Sequence, residues 1–157
     1  DASTAAIEKA AGALLNTCVL GKRIEFFGAG NSGIVAQDAQ HKFFRLGVST
    51  VAYSDGHMQV MSASMMGPGD CVVVISNSGR TRDLMDATDI ARKHGATTIC
   101  ITSSGSPLAS AAHIHLAADH PEGYTYDTDE ERGITYATFL EPSRLRRNTA
   151  ARDGSLF

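Results

Sequence analysis

The chain has no surplus of basic residues: 14 Lys and Arg are outnumbered by 17 Asp and Glu, giving a net charge of −3. Gripping a nucleic-acid backbone takes concentrated Lys and Arg, so DNA contact is expected only through a part of the protein outside this sequence. No apolar run approaches the roughly 20 residues that span a bilayer, and no secretory leader is visible. A cytoplasmic protein without a membrane partner is expected. The three cysteines, Cys18, Cys71 and Cys100, are scattered and show no CxxC spacing. That argues against a zinc site or a disulfide framework and for reduced thiols, two of them in apolar runs that read as strands. No metal and no cofactor is expected. An initiating methionine is also lacking, since the chain opens on Asp1, which leads to the expectation of further residues upstream.

What is there suits one globular domain: 157 residues, 43% apolar and 20% charged, enough for a real core. Ile7, Ala11, Leu14, Leu15 and Cys18 recur at helical spacing and predict a helix over Ser3–Leu20, closed by Gly21. An alternation follows. Strands are predicted at Arg23–Phe27, Thr50–Tyr53, Cys71–Ile75, Thr97–Ile101 and His113–Ala117. Helices are predicted at Ser32–Leu46, His57–Met66 and Arg80–His94, with a short turn at Pro107–Ala111. This is an α/β pattern, a three-layer αβα sandwich around a five-stranded parallel sheet of flavodoxin-like order. The run Val72-Val73-Val74-Ile75 lacks the two-residue alternation of a half-exposed strand, so helices must cover both faces. Ligands of such sheets bind at the carboxyl ends of the strands, which selects the loops that matter.

Three of those loops are rich in glycine or hydroxyls. Gly28-Ala29-Gly30-Asn31-Ser32-Gly33 fits the GxGxxG of dinucleotide sites. That use requires an acidic residue at the end of the second strand, and the only candidate, Asp55, lies beyond it in a turn. Ser76-Asn77-Ser78-Gly79-Arg80-Thr81 brings three hydroxyls to one helix start, where bare amides and the helix dipole favour an anion. A single such hydroxyl is accounted for by N-capping, but three in six residues point to a phosphate. In the third loop, Thr102-Ser103-Ser104-Gly105-Ser106, the Ser106-Pro107 pair reads as an N-cap followed by a first-turn proline.

Several blocks in order carry a family resemblance: GAGNSG at 28–33, HKFFRLG at 41–47, AYSDGHMQ at 52–59, ISNSGRTRDL at 75–84 and SGSPLASAA at 104–112. The chain resembles the sugar isomerase (SIS) domains, and within them the effector domains of RpiR/HexR-type transcriptional regulators, from Arg23 to about Glu122. The resemblance implies recognition of a phosphorylated sugar or sugar acid and assembly into a homodimer or tetramer. It also implies a helix-turn-helix domain upstream as the only route to DNA. It divides the chain into a linker and first helix (1–21), the SIS domain (22–122) and an atypical tail (123–157). Ser32 and Ser76 match effector positions, and Asn31, Ser78, Gly79 and Thr81 match the phosphate-cradling loops. The candidate phosphate-binding set is Gly30, Asn31, Ser32, Ser76, Asn77, Ser78, Gly79 and Thr81. Ser54, His57 and Ser103 are further candidate contacts.

Isomerisation needs a base at the carbons exchanging a proton, and usually a histidine to open the ring. Asp83 is the candidate base, but it sits among Arg80 and Arg82, and a carboxylate beside cations is a weak base near neutral pH. His41, His57 and His120 form no evident pair with a glutamate, while His113 and His115 alternate on the fifth strand, facing solvent or a helix. No catalytic residue is assigned, and a sensor is preferred over an isomerase. Met58, Met61, Met65 and Met66 fall near helical spacing and are expected to fill the core. From Tyr124 to Phe157 an acidic group is followed by arginines around a single apolar stretch, Ile134–Leu140, a composition that suits a disordered tail.

Overall fold

The computed structural model describes residues 2–119. Along them run α1 (Ala2–Val19), β1 (Ile24–Gly28), α2 (Asn31–Arg45), β2 (Thr50–Tyr53), α3 (Gly56–Ser64), β3 (Cys71–Ile75), α4 (Arg82–Lys93), β4 (Thr97–Thr102), α5 (Pro107–Ala111) and β5 (Ile114–Ala117). The strands form one sheet in the order β2-β1-β3-β4-β5, and every pairing is parallel. This is the expected α/β architecture. The tail over 123–157 and His120 lie outside the described residues. Among the described residues no helix is long and apolar enough to cross a membrane.

The all-apolar central strand is explained by helices on both sides. Cys71, Val73 and Ile75 of β3 pack with Ala10, Ala11 and Leu14 of α1 and with Ala36, Ala39 and Phe43 of α2. Val72 and Val74 pack the other way, with Ala63 of α3, Leu84, Ala87 and Ala91 of α4, and Leu108 of α5. Burying one such side chain is worth about 1.5–3 kcal/mol, and β3 is buried at every position. β1 leads out to β2 on one side while β3 leads to β4 on the other. Right-handed crossovers therefore put α2 and α4 on opposite faces, and their starts meet where β1 and β3 lie side by side.

Two departures from the sequence reading concern which side chains go inside. Met66 is buried, but Met58, Met61 and Met65 are exposed, so the methionine stripe is not core filler. α3 buries Gln59, Ser62 and Ala63 instead. Gln59 and Ser62 face polar groups that the sheet itself brings in. Glu25 of β1 is fully buried. It accepts from Ser62 Oγ at 2.5 Å and is ion-paired with Arg23, two residues earlier and therefore on the same face of the strand. Gln59 donates through Nε2 to Gly28 O (3.0 Å) and Tyr53 O (2.8 Å). One amide thus ties the ends of β1 and β2 together.

The thiols are free, with Cys71 and Cys100 buried and Cys18 half-buried. Burial pushes the Cys100 thiol up to about 12 and Cys71 higher still. Neither behaves as a thiolate near neutral pH.

Candidate functional site

Strand register builds the site. Gly28 pairs with Ile75 across β1 and β3, so the next residues along each strand, Ala29 and Ser76, leave the sheet side by side. Between them opens a cavity of about 230 Å³ lined by Ala29, Ser32, Ile75, Ser76, Asn77, Ser78, Thr81 and Leu84. This is the switch point of the strand order, where such sheets take ligands. Five of the candidate residues meet there: Ser32, Ser76, Asn77, Ser78 and Thr81. Ser32 and Ser76 are buried, and the other three form the rim. Ala29, Ile75 and Leu84 supply apolar wall that hydroxyl counting did not identify.

The other three members of the candidate set shape the turns without lining the cavity. Gly30 turns the first loop at φ +58° and Asn31 opens α2. Gly79 turns the second at φ +65°, and a Cβ there would fall 2.2 Å from Ser106 Oγ and 2.6 Å from Thr102 Oγ1. Glycine is required at 79 both for the dihedral and for the space.

The further candidates lie nearby. Ser54 is seated against the first turn of α2, since a Cβ at Gly33 would meet Ser54 Cβ at 2.8 Å. Ser103 donates its hydroxyl to Asn77 O at 2.8 Å, so that proton serves the loop. His57 is exposed on the first turn of α3. Asp83 lies across α4 against Gly56, where a Cβ would meet its carboxylate at 2.3 Å. His41 is exposed on α2. His115 Nε2 bonds Thr102 O at 2.9 Å. His113, just ahead of β5, is exposed as expected, and its Nδ1 accepts from Thr98 N at 3.0 Å.

The hydrogen bonds of the hydroxyls decide what the cavity can do. Ser76 Oγ accepts from Gly79 N (3.0 Å) and Ser78 Oγ from Arg80 N (3.1 Å), so both oxygens fold their own loop. Neither hydroxyl proton goes to an acceptor among the described residues. Ser32 and Thr81 make no side-chain hydrogen bond there either. Thr81 is the N-cap residue of α4 and Gly30 that of α2, and neither helix start has a side-chain cap. Elsewhere the starts are capped: Asp55 accepts from Met58 N on α3, and Ser106 accepts from Ala109 N on α5 with Pro107 following. Asp55, the one candidate for a dinucleotide ribose, is thereby committed to its helix. The cavity gathers four uncommitted hydroxyl protons at two uncapped helix starts, an arrangement complementary to an anion.

Comparisons with known proteins place the fold and the family. The "Bifunctional protein glk" of Paraburkholderia xenovorans is 52% identical over 101 residues, 64% of this chain and 16% of that protein. The "HTH-type transcriptional regulator RpiR" of Escherichia coli is 46% identical over 118 residues, 74% of this chain and 40% of that protein. The chain therefore spans less than half the length of either relative. Among solved structures, the Vibrio vulnificus NanR protein complexed with ManNAc-6P aligns with a TM-score of 0.79 at 22% identity, covering 95% of this chain and 55% of that one. The sugar isomerase domain of an RpiR transcription factor from Sphaerobacter thermophilus aligns at 0.70 and 24%, covering 94% and 85%. The phosphoheptose isomerase GmhA of Neisseria gonorrhoeae aligns at 0.76 and 20%, covering 87% and 83%. These structures share the fold. The SIS domain profile matches residues 21–137, and the chain belongs to the SIS domain family.

Proposed function

We propose that the cavity binds the phosphate of a phosphorylated sugar or sugar acid, and that the chain is the effector-sensing part of a bacterial transcriptional regulator of carbohydrate metabolism. The observation that carries this reading is the set of uncommitted hydroxyls, Ser32, Ser76, Ser78 and Thr81, at the uncapped starts of α2 and α4. Hydroxyls and amides hold a phosphate without a fixed cation, which suits reversible binding of a metabolite. The identity to RpiR and the ManNAc-6P with which NanR is complexed support the phosphosugar class. In this reading the parent protein assembles as a homodimer or tetramer and meets DNA through a domain upstream of this sequence.

An isomerase must also place a base at the carbons that exchange a proton. The cavity walls are hydroxyl, amide and hydrocarbon, and the carboxylate of Asp83 rests against Gly56. That chemistry supports sensing over turnover.

A ligand at 100-fold its dissociation constant raises stability by roughly 2.7 kcal/mol. A panel of sugar phosphates and sugar-acid phosphates is expected to contain at least one that raises the melting temperature accordingly, with the gain reduced in Ser76→Ala. A folded chain that responds to none contradicts the proposal. Incubation with aldose and ketose phosphates is expected to give no interconversion. Turnover that Asp83→Asn abolishes would replace the sensor with an isomerase.

A further inference from the structure

We infer that Asp119 and Ser104, neither of which lines the cavity, are positioning residues for the phosphate loop; the inference rests on the phosphate reading above. The loop from Ser76 to Gly79 is suspended from its neighbours rather than from its own helix. Ser76 N donates to Ile101 O (3.1 Å) and Leu108 N to Gly79 O (3.0 Å). Ser103 Oγ donates to Asn77 O at 2.8 Å. The fit is tight, since Gly79 has no room for a Cβ against Thr102 and Ser106. Where Ser103 stands therefore decides how the Asn77 peptide is turned.

That peptide matters for the anion. It is planar and trans, so holding the Asn77 carbonyl on Ser103 turns the Ser78 N–H to the opposite side. No hydrogen bond from that amide is found among the described residues, and Ser78 lines the cavity.

Ser103 in turn is held through its chain neighbours. Ser104 N donates to Asp119 Oδ1 at 2.7 Å and Ser104 Oγ to Asp119 Oδ2 at 2.6 Å, a two-point, charge-assisted clamp. On the other side of Ser103, Thr102 O accepts from Ala118 N at 3.0 Å. The chain leaving β5 thus fastens both Thr102 and Ser104, and through Ser103 it sets the cavity wall. By linkage, an occupied cavity favours the closed clamp by the same factor that the clamp favours binding.

Charge alone predicts the opposite effect of substitution. Asp119 is an anion near an anion site, so removing its charge would strengthen phosphate binding were it merely a neighbour. As a positioning residue its loss weakens binding. The test is titration of the full chain with inorganic phosphate and with a hexose 6-phosphate by calorimetry. Asp119→Asn and Ser104→Ala are each expected to weaken both ligands roughly three- to tenfold, the range of one net hydrogen bond, and the double variant to lose little more than either alone. Ser103→Ala is expected to weaken binding and Ser103→Thr to retain it. Should Asp119→Asn fail to fold by circular dichroism, the uncharged serine variants carry the same test. Equal or tighter binding in these variants, with the wild type binding normally, overturns the clamp alone. A wild type that binds neither ligand overturns the phosphate reading and the clamp with it.

Discussion

The two ends of this sheet treat polar groups in opposite ways. At the amino end they are spent on one another. Arg23 pairs with Glu25, Ser62 donates to Glu25, Arg23 N donates to Asp70 Oδ1 at 2.8 Å, and Gly67 N donates to Asp70 Oδ2 at 2.8 Å. At the carboxyl end the buried Ser32 and Ser76 and the exposed Ser78 and Thr81 keep their hydroxyl protons, and neither α2 nor α4 has a side-chain cap from its N-cap residue. Ser76 Oγ and Ser78 Oγ each accept from their own loop while their protons have no acceptor among the described residues, so folding the loop does not account for those donors. The contrast separates the end that holds the molecule together from the end that is kept ready for something else.

The largest effect that sharpens the contrast lies at the spent end. Arg23→Ala removes the cation from a fully buried carboxylate, and breaking such a pair costs about 3 kcal/mol. The half-exposed arginine lets water reach the gap and trims this figure. The drop should appear in urea unfolding as a lower midpoint at constant slope, with phosphate affinity preserved.

The helix starts give a closer comparison. Ser106→Ala removes a working cap and should cost about 1 kcal/mol. Thr81→Ala removes a hydroxyl that caps nothing and should stay within about 0.5 kcal/mol, while clearly weakening phosphate binding. Equal stability losses at both positions would erase the distinction between capped and uncapped starts.

The smallest effect is one of pH. His113 is held below the ordinary histidine value, first by burial and then by Arg92 and Lys9, and its Nδ1 accepts from Thr98 N. The unfolded chain therefore takes up the proton first. Stability should be level above about pH 6.5 and decline as the pH falls from there toward the folded value. Urea midpoints at pH 7.5 and 5.5 check this, and His113→Gln should flatten that part of the slope.

How much of this could be read from the sequence depended on what kind of force placed each residue. β2 and β3 begin and end where turn residues and apolar runs predict. α4 starts at Arg82 rather than Arg80, because Gly79 must turn the chain at φ +65° and Thr81 stays extended as the N-cap residue. The loops were legible because hydroxyls and glycines cluster at strand ends, and the parallel register then brings two distant clusters together. Glu25 was not legible as a buried residue. Its partners are Arg23, visible as a same-face neighbour two residues back, and Ser62, which only the fold brings near. Gln59 carried no signal at all, since its role is to bridge two carbonyls that become neighbours only in the sheet. The exposed methionines of α3 followed helical spacing, but periodicity states which residues share a face and not which way that face turns. Ser103 was a candidate ligand contact in the sequence, while its use as a donor to Asn77 depended on the strand register.

The claim on which the rest depends is that the uncommitted donors of both loops address one anion. Titration of the nitrogen-labelled chain with a hexose 6-phosphate, followed amide by amide by NMR, tests it directly. The expected result is that the largest shifts fall together on residues 30–33 and 76–82, with a single affinity. Shifts confined to one of the two loops, or absent from both in a folded sample, would contradict the account.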